Sequence, residues 1–318
     1  MSKQYNCKSI VKSLRASCGI LVVVLFVTSM ACDTPYAGAI SDFGTAAATV
    51  VQQTRAAYIL VNNTVLQEEI LSLAAKPGPL NSDPARAFPP FVTPEDLDIR
   101  NALLDALQAY ATALGNLTGK TASDLDSETT QLAASLTELS KNDRLEHSFR
   151  EVKSVSKEET NAAAAGVDAI GKFLVEKRIS ADLPAMLKKN QPHIEALATL
   201  LIHEIGDVPT AAEPGRLRGK LWRTYDSLLQ AQVTAVNASA AGSNEKQQSV
   251  AKLADLVTAQ RNADAALGGT QSALKKLLAA HRALIQVQTA PASFKTEVAA
   301  LVAQARQAQD YYAKLPTK

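Results

Sequence analysis

Cysteine, aromatic residues and strand-like patterns are scarce in this chain of 318 residues, and each scarcity excludes a class of protein. None of the three cysteines follows Cys32, so the body of the chain contains no disulfide framework. Aromatic residues make up 5% of the chain, a composition that rarely builds the broad aromatic-lined pocket of a small-molecule site. Alternating runs of β-branched residues are missing after the N-terminal segment, which argues against a protein built on β-sheets.

Helix-forming residues are abundant instead. Hydrophobic residues make up 47% of the chain, and alanine, the best helix former, supplies much of that share while adding little bulk. Leu103, Leu107, Tyr110 and Leu114 alternate four and three positions apart, a coiled-coil heptad seam that requires a second helix. We therefore predict an all-α protein, an elongated antiparallel helical bundle of six to nine helices, several of them long.

Prolines, glycines and capping residues place the predicted helix ends. The bundle domain is predicted to span residues 42–318, and the charged stretch 141–156 marks a possible sub-boundary within it. We expect short helical pieces broken near Pro184 and Pro192, and a possible break at Gly268–Gly269. The longer predicted helices cover residues 42–76, 94–117, 123–140, 156–178, 194–205, 214–240, 244–289 and 293–313.

The first residues have the layout of an export signal. Four basic residues precede the apolar run 19–27, and small residues and Cys32 follow it. A helix that spans a bilayer needs about 20 apolar residues. Because this run is much shorter, we interpret residues 1–31 as a signal peptide that is removed.

Residues 29–32, Ser-Met-Ala-Cys, resemble the lipobox of bacterial lipoproteins, although Ser29 stands where the family usually has leucine. The resemblance implies that Cys32 is the lipidated first residue of the mature chain. It also implies a lipid-anchored tether, residues 32–41, and a protein of the bacterial cell envelope that faces the periplasm. The alternative is cleavage between Ala39 and Ile40, after an A-x-A site, which would give a secreted or soluble periplasmic protein.

The charge balance changes when the signal is removed. Residues 1–31 contain four basic residues and no acidic one, so the formal net charge falls from +2 to −2. A chain that is slightly acidic overall has no electrostatic footprint for nucleic acid. We therefore expect no nucleic-acid partner.

Catalytic motifs are missing from the sequence. It contains neither H-E-x-x-H nor G-x-S-x-G, and its adjacent glutamate pairs point to different helix faces. We expect no enzyme and no cofactor. One alternative stays open: His147 with Glu151, and His203 with Asp207, are each four apart, so two helices that carried these pairs would form a metal-binding or enzymatic bundle.

A basic segment surrounds the single tryptophan. It contains Arg216, Arg218, Lys220, Trp222 and Arg223, a combination suited to an anionic headgroup layer or polymer. The competing interpretation is a solvated basic face with Trp222 in the core.

These patterns favour a non-catalytic, lipid-anchored envelope protein, a structural or adaptor module that binds another envelope protein. The metal-binding or enzymatic bundle is one alternative. A membrane-active helical bundle is the other, and it is weakened because no segment after residue 31 has 18 uninterrupted apolar residues.

Overall fold

The computed structural model describes residues 37–78, 88–117, 148–149, 157–176, 183–207, 215–287 and 289–315. Cys32, the predicted helix 123–140 and most of the possible sub-boundary at 141–156 lie outside these residues. Within them α-helix is the only regular secondary structure and no strand occurs, which confirms the predicted all-α bundle. The seven α-helices are α1 (Ala37–Ala75), α2 (Pro94–Leu117), α3 (Lys157–Glu176), α4 (Leu183–Ile205), α5 (Leu217–Ala238), α6 (Asn244–Ile285) and α7 (Pro291–Ala313).

Two long helices organise the packing. Helix α1 has 39 residues and α6 has 42, which correspond to about 58 and 63 Å of helix. Helix α1 packs against α2, α5, α6 and α7, while α6 packs against α1, α4, α5 and α7. Helices α3 and α4 pair with each other and join the bundle through α2 and α6. The core is therefore shared by all seven helices.

Helix α1 begins earlier than the sequence indicated. We predicted a tether up to residue 41, but the helix starts at Ala37 and Ile40 is only 1% exposed. The reason is that Ile40 and Phe43 both pack into the core cluster, so their burial extends the helix toward the N-terminus.

Pro192 does not break its helix, contrary to the prediction. Helix α4 runs through Pro192 without interruption, and the proline is exposed. Leu187, Ile194 and Leu197 on the same helix are buried, so packing on both sides of the proline offsets the hydrogen bond that it cannot donate.

The glycine pair Gly268–Gly269 lies inside the continuous helix α6 and not at a break. A Cβ atom at Gly269 would lie 3.2 Å from the Cα of Ala308 on α7, so this glycine lets the two helix backbones approach closely. Gly166 on α3 has the same role, because its Cβ would lie 2.8 Å from the carbonyl oxygen of His193 on α4. Ala163 and Ile170 are buried on the same side of α3 as Gly166, whereas Ala162 is exposed.

The connection between α5 and α6 lies in the gap between the predicted helices 214–240 and 244–289. Gly242 has a φ of +76°, a left-handed conformation that glycine adopts without strain. Ser243 then caps α6, because its hydroxyl accepts a hydrogen bond from the backbone N–H of Lys246 at 3.1 Å. Helices α5 and α6 therefore form an antiparallel hairpin.

Candidate functional sites

The end of the α5–α6 hairpin leaves the hydrophobic core, which Leu256 and Ala259 near its base still contact. No residue from Leu229 to Ala259 is buried, whereas Leu228 before this stretch and Gln260 after it are. We call residues 229–259 the hairpin arm. Its two helices are linked by the side chain of Gln232, which donates a hydrogen bond of 2.9 Å to the carbonyl oxygen of Ser249. The arm is thus a two-helix element whose side chains remain available to a partner.

The arm exposes apolar side chains and carries little charge. Val233 is 41% exposed and Val250 is 48% exposed. No charged residue occurs from Ser227 to Asn244, an unusual run on an exposed helix, since soluble surfaces are typically about one quarter to one third charged. A surface of this kind is suited to contact with protein.

An open cavity of about 470 Å³ lies where the arm leaves the bundle. Leu60 from α1, Leu256 and Ala259 from α6, and Leu315 supply its apolar lining. Its volume falls within the range of small-molecule sites. The cavity lies between α1 and the base of the arm.

The basic segment 216–223 is largely engaged within the chain. Arg218 is buried, and its guanidinium donates two hydrogen bonds of 2.9 Å to the carboxylate of Asp264 on α6. Trp222 Nε1 donates to the same carboxylate at 3.0 Å, and Lys220 Nζ lies 3.8 Å from Glu68 Oε2 on α1. Because these contacts balance the charges of Arg218 and Lys220 internally, they fasten α5 to α6 and α1.

The remaining basic residues are placed differently. Arg223 is exposed, while Arg216 is half-buried at the end of α4, where its side chain covers Gly206. Gly206 has a φ of +90° and ends α4 as predicted. An anionic-surface patch built on all five residues stays a prediction.

A buried polar cluster joins α1, α2 and α4. Arg100 and Glu204 are 3% and 2% exposed, and Arg100 Nε donates to Glu204 Oε1 at 2.5 Å. Tyr58 donates its hydroxyl proton to the other oxygen of Glu204 at 2.5 Å. Arg100 also donates to the hydroxyl of Ser148 at 2.7 Å and lies over the ring of Phe149 at 4.4 Å.

The protonation states of this cluster follow from its surroundings. Burial raises the pKa of Tyr58 well above its usual value, and the neighbouring Glu204 raises it further, so the phenol stays protonated. Burial alone would lower the pKa of Arg100, but the Glu204 carboxylate offsets this and the net pKa is raised. With both carboxylate oxygens bonded and the guanidinium charged, the cluster is a structural clamp.

His281 forms a second buried polar contact. It is fully buried on α6, where Leu274 and Leu278 are buried as well, and its Nε2 lies 2.8 Å from the Tyr110 hydroxyl on α2. Nδ1 has no hydrogen-bond partner. Burial lowers the pKa of His281 to about 4, so the imidazole is neutral at pH 7.

The residues of the metal-site alternative have separate partners. His203 Nδ1 lies 2.7 Å from Glu159 Oε1 on α3. Asp207 follows the end of α4 and accepts hydrogen bonds from Lys275 at 2.8 Å and Gln271 at 3.0 Å; the Lys275 bond lowers its pKa. His147 and Glu151 lie outside the described residues, so the four-residue constellation stays a hypothesis.

The described part of the chain contains neither a metal-ligand cluster nor a membrane-spanning helix. Within it, no three His, Cys, Asp or Glu residues lie close enough together to hold a metal ion. None of the helices described combines the length and apolar character that crossing a bilayer requires.

Sequence reasoning missed the hairpin arm. We predicted both helices, but not that residues 229–259 would contain no buried residue. The signal that could have found it is the charge-free run from Ser227 to Asn244. The Tyr58–Arg100–Glu204 clamp carried no such signal, because its members are isolated polar residues on three helices.

Comparison with known proteins adds no relative: no family model, no curated protein and no solved structure matches this chain.

Proposed function

We propose that this chain is a non-catalytic lipoprotein of the bacterial cell envelope, anchored through Cys32, that binds other envelope proteins with the hairpin arm. One observation carries the interaction role: 31 consecutive residues, 229–259, form two helices without one buried side chain. An arm of this kind contributes little to the core of its own chain. Its half-buried side chains become fully buried only when a partner covers them.

The burial of Ile40 supports processing at Cys32 over the alternative between Ala39 and Ile40. Cleavage at the alternative site would place an N-terminal ammonium on a residue that is 1% exposed. Burying an unpaired charge is costly. Cleavage before Cys32 leaves the first turns of α1 intact.

Lipid attachment is tested by the mass of the mature N-terminus and by fractionation. We expect an acylated Cys32 and a chain that stays with the membrane fraction, because two or three acyl chains give stable attachment. Cys32→Ala should lose the acyl mass and the membrane association. An unmodified Ile40 terminus in the wild type would contradict the anchor.

The interaction role is tested by photo-cross-linking in the envelope. A photoreactive residue at Val233 is compared with one at Thr296, an exposed position on α7. We expect adducts with another envelope protein from position 233 and far fewer from position 296. Equal yields at both positions, or no adduct at 233, would contradict binding through the arm.

A further inference from the structure

The hairpin arm has one face that points away from the rest of the bundle. Thr224 on α5 donates a hydrogen bond to Glu68 on α1, so this side of α5 faces α1. Val233 lies nine residues later, which is two and a half helical turns, and therefore points to the opposite side. The same separation relates Val250 on α6 to Ala259, which lines the cavity beside α1. Val233 and Val250 thus share the outward face of the hairpin.

This face has heptad spacing on both helices, and we call it the outer strip. Its positions alternate four and three apart, the pattern of a coiled-coil seam. Val233 and Val250 are exposed at its centre, and the strip carries one charge, Lys246, at its tip. The strip consists of Leu229, Val233, Val236 and Ala240 on α5 and Lys246, Val250, Leu253 and Val257 on α6.

We infer that the outer strip is a self-association surface, on which the arm of a second copy of this chain packs to form an antiparallel four-helix bundle. This inference rests on the proposed role of the arm as a contact surface, and it makes a second copy a partner of that surface. Heptad seams on two helices are completed when two further helices with the same pattern cover them.

The size of the arm sets the size of this contact. A stable protein interface of standard size takes about 20–30 residues from each partner. The arm offers residues 229–259, none of which is buried in the single chain. Only those on the outward side enter the contact, so the outer strip forms its centre and the residues that flank the strip form its edge.

The charges also fit a two-fold axis through the central valines. Asp226 lies seven residues before Val233, about 10 Å toward the base, and Lys246 lies four residues before Val250, about 6 Å toward the tip. An antiparallel two-fold arrangement places the tip of one arm over the base of the other. Each copy would then pair its Lys246 with Asp226 of the other, twice per dimer. Arg261 lies about one turn farther toward the base than Asp226, so along the arm it is farther than Asp226 from Lys246 of the other copy.

In a two-fold symmetric interface, each residue near the axis faces the same residue of the other copy. A cluster of like charges near the axis would therefore repel. The strip has apolar residues there and its one charge away from the axis. This distribution favours a second copy over a strongly charged partner.

Sedimentation equilibrium of the full chain, purified from the bacterial envelope in detergent, tests the inference. We expect a dimer for the wild type. Val233→Glu with Val250→Glu should raise the dimer dissociation constant at least about tenfold, because unpaired carboxylates would enter the interface. The matched control is Ala231→Glu with Gln248→Glu, two exposed positions on the other side of the same helices, which should change it less than about twofold. Circular dichroism checks that the helices remain folded.

A charge exchange gives a second measurement that does not depend on the valines. Asp226→Lys and Lys246→Asp should each weaken the dimer, and the double variant should restore it. A monomeric wild type, or equal effects of the strip and control variants, would overturn the inference. Failure of the double variant to restore the dimer would overturn it as well.

The outcomes separate this inference from the proposed function. A monomeric chain that still cross-links to another envelope protein from Val233 would overturn self-association and leave the adaptor role standing. A dimer without any such cross-link would support self-association and contradict the adaptor role.

Discussion

Acid is expected to destabilise this protein through one buried histidine. His281 is fully buried on α6, with Tyr110 at Nε2 and no hydrogen-bond partner at Nδ1. Burial holds its pKa at about 4 against an ordinary value of 6.5; the charge of Arg282 lowers it further, and that of Glu195 partly opposes this. The folded state therefore holds the neutral imidazole.

The sign and size of the effect follow from linkage. As the pH falls through about 6.5 the unfolded chain takes up a proton at this site, whereas the folded chain takes it up only near pH 4. The stability is thus fully present above pH 6.5 and is lost between pH 6.5 and 4. Each pKa unit corresponds to about 1.4 kcal/mol, so the loss attributable to His281 is about 3 kcal/mol.

Urea unfolding at several pH values between 7.5 and 4 measures this loss. His281→Gln keeps a group that can bond Tyr110 but does not titrate, so its stability should fall about 3 kcal/mol less than that of the wild type over this range. His193→Gln, at a half-buried position on α4, is the matched control and should follow the wild type. Parallel losses in wild type and His281→Gln would refute the reasoning.

Two other perturbations test the packing and the buried charges by the same unfolding measurement. Gly166→Ala should destabilise the fold by about 1–3 kcal/mol, because its Cβ would lie 2.8 Å from the His193 carbonyl oxygen. Gly115→Ala, where no atom lies within 4 Å, should instead be neutral or stabilising by up to about 1 kcal/mol, and equal losses at both glycines would contradict the close-approach argument. Glu204→Leu should lower the free energy of unfolding by about 3–5 kcal/mol, because it leaves the buried charge of Arg100 without its carboxylate partner. Adding Arg100→Met should recover part of that loss. A double variant no more stable than Glu204→Leu alone would argue against an unpaired buried charge on Arg100 as the cause.

The sequence predicted most helix positions because their signals are local. Thr93 and Pro94 start α2 as expected, with the Thr93 hydroxyl accepting from the backbone N–H of Asp96. Gly206 ends α4 through its left-handed conformation. Caps and stop signals act within a few residues, so a single sequence is sufficient to find them.

The errors arose where contacts between distant helices outweigh local propensity. Pro192 lies within a helix because its neighbours are buried, and Gly269 packs against Ala308 instead of ending α6. Whether glycine breaks a helix or admits a neighbour depends on what packs there. That information is absent from the local sequence.

The same limit applies to the candidate sites. Arg218 and Lys220 looked like a basic face, but their carboxylate partners, Asp264 and Glu68, are on other helices. Tyr58, Arg100 and Glu204 likewise come together only in the folded chain. For the arm, the periodicity of apolar residues identified two helices. It did not indicate how many other helices would pack against them.

The distribution of polar contacts explains why the arm, and not a buried site, carries the proposed function. The clamp at Glu204 has both carboxylate oxygens bonded to Tyr58 and Arg100, and Glu204 is only 2% exposed, so it is enclosed. His281 is enclosed and neutral. These groups fix helices to one another, which makes the bundle a rigid support. A rigid support that ends in two helices without buried side chains is organised to present a surface, and the central valines are where that surface should be most sensitive to a single charge.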